Sequence, residues 1–280
     1  MLLGHFGYSE GQLRKLQIVP DFALGQCARM SEPILPIIAA VFLLAGFVKG
    51  TIGMGLPTVA MGLLATRMAP AHALAIVILP ALVTNLWQTF VGPYLRDITR
   101  RLWPLMVGTC FGIWSAGSLM TGPYARYGTI VLGVLLVIYA IVGLSKVRFH
   151  VGRRNEKSIG GLVGLITGVV AAATGVQVIP SMRFMQAIGM EKDELIQALG
   201  VFFTTSTVAM LFNLSHSGLL TREVAIPSTL GLITSLIGMY LGQRLRQRLP
   251  EETFRRFFLI SMIILGGYLA IEKAAQLHLL

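Results

Sequence analysis

The apolar positions of the chain fall into long runs, each bounded by a short polar or basic cluster. The runs at 70–91, 102–120, 127–145, 195–214, 225–243 and 257–271 each have the length of one transmembrane helix, since a span takes about 20 apolar residues. Two further runs, 34–66 and 159–190, are longer. As continuous helix each would measure about 48 Å at ~1.5 Å per residue, more than an apolar layer about 30 Å thick accommodates. Both are interrupted, the first by Gly50-Thr51-Ile52-Gly53-Met54-Gly55-Leu56-Pro57 and the second by Thr174-Gly175-Val176-Gln177-Val178-Ile179-Pro180. Glycine and proline together end a helix and free backbone polar groups. At membrane depth such backbone persists only inside protein or beside a water-filled cavity. The pattern predicts six unbroken spans and two broken ones.

The interruptions recur. Leu56-Pro57-Thr58 matches Ile179-Pro180-Ser181 at an offset of 123, and Pro104 with Pro227 and Gly108 with Gly231 keep the same offset. The expected architecture is an all-α polytopic membrane protein of two repeats. Each repeat holds a broken, re-entrant helical segment and three transmembrane helices. An arm covers 1–32, the first repeat 33–147, a basic cytoplasmic linker 148–157 and the second repeat 158–275.

Composition agrees with the pattern. Of the 280 residues 55% are hydrophobic and 12% charged, against about 25% charged in a soluble domain. The net charge of +11 sits largely in short loops: Arg96, Arg100 and Arg101, then Lys146 to Lys157, then Arg244 to Arg256. Placing all three loops on one cytoplasmic face satisfies the positive-inside rule and implies no nucleic-acid partner. That placement requires each broken segment to enter and leave by one face, which makes the second repeat an inverted copy of the first. The arm reads as a surface or interfacial segment rather than a secretory signal. Cys27 and Cys110 form neither a metal motif nor a disulfide framework.

The chemistry lies in the few polar residues within the runs. All twelve acidic residues lie in the arm, the loops or at helix ends, which argues against carboxylate relays and acid-rich metal sites. The one charge inside an apolar run next to a break is Lys49. Burying it costs about 2.5–3.5 kcal/mol even on a lenient scale, so it is either a functional cation or a side chain that snorkels to the interface. Neutral hydrogen-bonding groups accompany it. The first repeat offers Thr51, Thr58, Thr84, Asn85 and Gln88, and the second offers Thr174, Gln177, Ser181, Thr204, Thr205, Ser206 and Thr207. Gly53, Gly55 and Gly175 free backbone N–H groups at the breaks. Arg67, Arg183 and His72 are candidate gating residues at the segment ends, and His216 lies in a polar turn. Single serines and threonines in membranes more often bond back to their own helix. Small-xxx-small spacings at Gly46/Gly50, Gly108/Gly112, Gly160/Gly164/Gly168 and Gly238/Gly242 mark close helix packing. The His-Glu-x-x-His, Gly-x-Ser-x-Gly and P-loop signatures of enzymes and motors are absent.

The run Ala45-Gly46-Phe47-Val48-Lys49-Gly50-Thr51-Ile52-Gly53-Met54-Gly55-Leu56-Pro57 resembles the opening motif of the sulfite/sulfonate exporter family, the TauE/SafE-like membrane transporters. Gly164 through Gly168 and Gly175 to Pro180 resemble its second-half version, and the resemblance covers about 33–275. The family's usual triple glycine stands here as Gly53-Met54-Gly55, and in the second half as Ala171-Ala172-Ala173. Lys49 is not carried by the resemblance. What the resemblance implies is a cofactor-free, multi-pass protein of the bacterial inner membrane that moves small sulfur-containing or carboxylate anions, most often outward. The expected partners are a small anion and membrane lipid, with a homodimer left open. A passive anion channel is the alternative that shares the buried lysine and the missing acids.

Overall fold

The computed structural model describes residues 34–119, 122, 125, 127–145, 150–246 and 251–277. The arm at 1–32, with Cys27, and part of the basic linker lie outside the described residues. Residues Met1–Ile37 form a unit of their own, described only from Ile34 onward as the first turn of a helix. The unit Ile38–Leu280 carries the rest of the fold.

The described residues form ten α-helices, a 3-10 turn at Gly117–Leu119 and no strand. They are α1 (Ile34–Ile52), α2 (Leu56–Leu64), α3 (Pro70–Phe90), α4 (Leu95–Ser115), α5 (Gly128–Leu144), α6 (Glu156–Thr174), α7 (Ser181–Ala187), α8 (Lys192–His216), α9 (Arg222–Arg246) and α10 (Glu251–Gln276). Six of them, α1, α3, α6, α8, α9 and α10, contain stretches long and apolar enough to cross a membrane, and α5 is a shorter apolar helix. The chain is a multi-pass membrane protein. The run read as one span over 102–120 differs. Its helix starts earlier, through the charged turn Arg96–Arg101, and ends at Ser115 before the 3-10 turn.

Both long runs are broken where glycine and proline cluster. At the end of α1, Gly53 takes φ 84° and its N–H bonds to the Lys49 carbonyl at 2.8 Å, a left-handed stop that favours glycine. Gly55 (φ 103°) then starts α2, with Pro57 in the first turn, where a missing N–H costs nothing. In the second run Gly175 (φ 74°) closes α6 through a bond from its N–H to the Ala171 carbonyl. A non-helical stretch leads through Pro180 into α7.

Glycine seams set the packing. Along α1 and α9, a side chain on Gly46 would overlap the Ser235 carbonyl, and one on Gly238 or Gly242 the carbonyls of Leu43 or Phe47. Along α6 and α4, Gly164 and Gly168 lie against the carbonyls of Leu105 and Thr109, and Gly112 against Leu165. Residue numbers rise together along both seams, so each pair is parallel. The α3–α8 pair is antiparallel, because Asn85 meets Thr207 while Thr89 meets Thr204. The α5–α10 pair is antiparallel too, with Gly133 near Ala270 and Gly143 near Leu259. Arg101, near the start of α4, pairs with Glu156 at the start of α6 at 2.6 Å. The starts of α4, α6 and α10 and the end of α5 therefore gather at one end of the bundle, the end that carries the basic loops.

Proline inside α3 has a repair. Pro80 has no N–H, so the Ile76 carbonyl loses its helical donor. Ser228 of α9, itself buried, donates its hydroxyl to that carbonyl at 3.1 Å. Ser228→Ala should cost about 1–3 kcal/mol, the price of a buried unsatisfied acceptor. The same change in a Pro80→Ala background should cost little, because the restored N–H takes over. Thermal unfolding of the four proteins in detergent checks this; equal cost in both backgrounds would refute the repair.

Candidate functional site

The polar groups gather where the first break meets α3 and α8. Lys49 lies in the last turn of α1 and is only 4% exposed, so it does not snorkel to the surface. Its amine donates to Thr84 Oγ1 at 3.1 Å and to Asn85 Oδ1. Asn85 Nδ2 in turn donates to Thr207 Oγ1 of α8 at 3.3 Å. One turn on, the hydroxyls of Thr89 and Thr204 share a bond of 2.9 Å. Residues 84, 85, 88 and 89 fall on one stripe of α3 by helical spacing.

Gln88 fixes the break. Its Nε2 donates to the Gly53 carbonyl at 2.9 Å and to the Ile196 carbonyl at 2.8 Å, tying the non-helical backbone to α8. Its Oε1 is buried without a partner, as is Thr58 Oγ1 in the first turn of α2. Two unsatisfied buried polar groups, a hydroxyl and an amide oxygen, close to a broken helix are unusual in a protein interior.

Second-half residues extend the cluster unevenly. Gln177, in the second break, accepts from Ser206 at 2.6 Å and contacts Met210 Sδ through its Nε2. Thr51 bonds the Phe47 and Val48 carbonyls, Thr174 the Val170 carbonyl and Ser181 the Gln177 carbonyl. These three hydroxyls serve local backbone. Thr205 bonds Val201 and faces Met106 of α4, away from Asn85.

Both breaks border one open cleft between α5, α7 and α10. Ile52 and Met54 of the first break and Val178 and Ile179 of the second line it, with Tyr139 and Arg183 as its polar residues. Arg183 donates to the Val142 carbonyl and, at 3.4 Å, to that of Ser145, so it caps the end of α5. Arg67 is exposed and His72 is half-buried at the start of α3.

Residues 38–269 match the profile of the family described as Sulfite exporter TauE/SafE. This chain belongs to that family. Comparison with curated proteins and with solved structures gives no match. In this TauE/SafE protein two contributors to the cluster are not singled out by the sequence pattern. Thr89 was available from the i, i+4 spacing off Asn85. Gln197, 1% exposed, bonds the Thr89 and Gly92 carbonyls through Nε2 and accepts the Tyr94 N–H, so it closes the end of α3.

Proposed function

We propose that this TauE/SafE protein is a secondary transporter of the bacterial inner membrane that moves a small anion, sulfite or a sulfonate, outward. The reading is supported above all by Lys49: an ionisable amine sealed inside the protein beside a broken helix, with no carboxylate paired to it among the described residues. Its ammonium form without a counter-charge is costly there, and a bound anion removes that cost. Neutral amides and hydroxyls around it suit a ligand that must also leave. The two sequence halves act as inverted repeats, with the anion held where the breaks meet α3 and α8 and with rocking movements exposing it to each side in turn. The clustering of these groups at one depth, rather than along a stripe through the bundle, favours a carrier over a channel.

The test is counterflow. Proteoliposomes preloaded with unlabelled anion should accumulate the labelled form transiently, for sulfite, thiosulfate or small sulfonates. Saturable counterflow supports the carrier. Linear flux without counterflow would make it a channel, and no flux with any of these anions or with small carboxylates would refute the anion reading.

A further inference from the structure

The hydrogen bonds of Lys49 can be counted. The proton of Thr84 is committed to the Pro80 carbonyl at 2.7 Å, with the Ala81 carbonyl at 3.2 Å, so Thr84 Oγ1 accepts from the amine. Asn85 uses its Nδ2 on Thr207, so its oxygen faces the amine. Lys49 therefore has two acceptors, both uncharged. Two acceptors satisfy the two N–H groups of a neutral amine and leave its lone pair free; an ammonium has a third N–H still to place.

Among the described residues the amine makes no third hydrogen bond and no ion pair. Thr84, Asn85 and Gln88 on α3 do not titrate, nor does Thr207 on α8. The acids of α8's first turn, Asp193 and Glu194, lie about 20 Å along the helix from Thr207 at ~1.5 Å per residue. On α9 the groups against this stretch of α1 are Ser235, Met239 and the Gln243 backbone. The α2 start contributes Gly55 beside Val48, and α10 contributes Phe258 against Gly55. Among the described residues the ion pairs shown are those of Arg101 with Glu156 and Glu194.

We infer that Lys49 takes up a proton together with the transported anion, which makes the protein an anion–proton cotransporter. The inference rests on the anion reading given above. On loading, the amine lone pair forms a new N–H bond with a proton from solution, and the anion provides both the third acceptor and the counter-charge. On release the N–H bond breaks and proton and anion leave on the same side. A monovalent anion thus crosses with no net charge, and the empty carrier reorients without an unpaired ammonium in its apolar interior. Flux responds to the pH gradient and to the anion gradient, and not to membrane potential.

The experiment is titration calorimetry on the full chain in detergent, with ethanesulfonate and benzenesulfonate as probes. Neither holds a proton at neutral pH, so any proton taken up belongs to the protein. Measuring heats in Tris and in imidazole, which differ in ionisation enthalpy, gives protons bound per anion. The expected result is about one proton per anion in the wild type. Lys49→Arg, which keeps its charge at all working pH, should show none. Binding by the wild type with no proton uptake overturns the coupling and leaves the anion site standing. Failure to bind either probe or thiosulfate, which also holds no proton at neutral pH, overturns both. The wild-type count decides the matter even if Lys49→Arg does not fold.

Discussion

Lys49→Met should abolish nearly all anion flux in proteoliposomes while leaving the protein folded. Removing one partner of a buried charge pair typically costs about 2–5 kcal/mol of binding, or roughly 30-fold to several thousand-fold in affinity. The fold should tolerate the change. Methionine fills a similar volume and carries no polar group that needs a partner. Against that stands the lost bond to Asn85, worth about 1–3 kcal/mol if its oxygen finds no other donor. Thr84 keeps its bonds to the Pro80 and Ala81 carbonyls. The net change in stability is expected to stay within about 1–2 kcal/mol. Flux equal to wild type at matched protein content would remove Lys49 from the site. A collapse of stability together with flux would make the lysine structural.

The second large effect concerns two adjacent glycines in α10. A Cβ on Gly266 would lie 2.9 Å from Leu136 Cβ and closer still to the Gly133 carbonyl, in the α5–α10 contact. A Cβ on Gly267 would meet nothing within 4 Å. Gly266→Ala must therefore push two helices apart against backbone, and overpacking of that kind costs about 1–3 kcal/mol. Gly267→Ala should be neutral or stabilising by up to about 1 kcal/mol, because alanine favours helix over glycine. The melting temperature in detergent should fall clearly for the first and hold or rise for the second. Equal shifts would mean that the α5–α10 contact has room for a methyl group.

The breaks were legible because glycine and proline act locally: Gly53, Gly55 and Gly175 each take the positive φ that their sequence context suggests. Lys49 was legible because an isolated charge in an apolar run has few explanations. The polar hydroxyls were less so. Thr84 and Thr207 join the Lys49 network, whereas Thr51 and Thr174 bond their own helices. Composition treats all four alike, and rotation about the helix axis separates them. Thr205 and Thr204 differ by one residue, about 100° around a helix, and so face α4 and α3 respectively. The small-residue spacings announced close contacts without naming partners. Nothing in Gly46 and Gly50 says that their groove receives α9 rather than a neighbour in sequence.

That choice of partner governs how the molecule can move. The long helix of each broken segment is seated, glycine against backbone, on the second unbroken helix of the opposite half: α1 on α9, and α6 on α4. Bodies that swing past each other as wholes must keep these seams intact, since parting them opens backbone-to-backbone contacts that no side chain fills. The sequence halves are therefore not the mechanical halves. Each rigid element is a composite drawn from both.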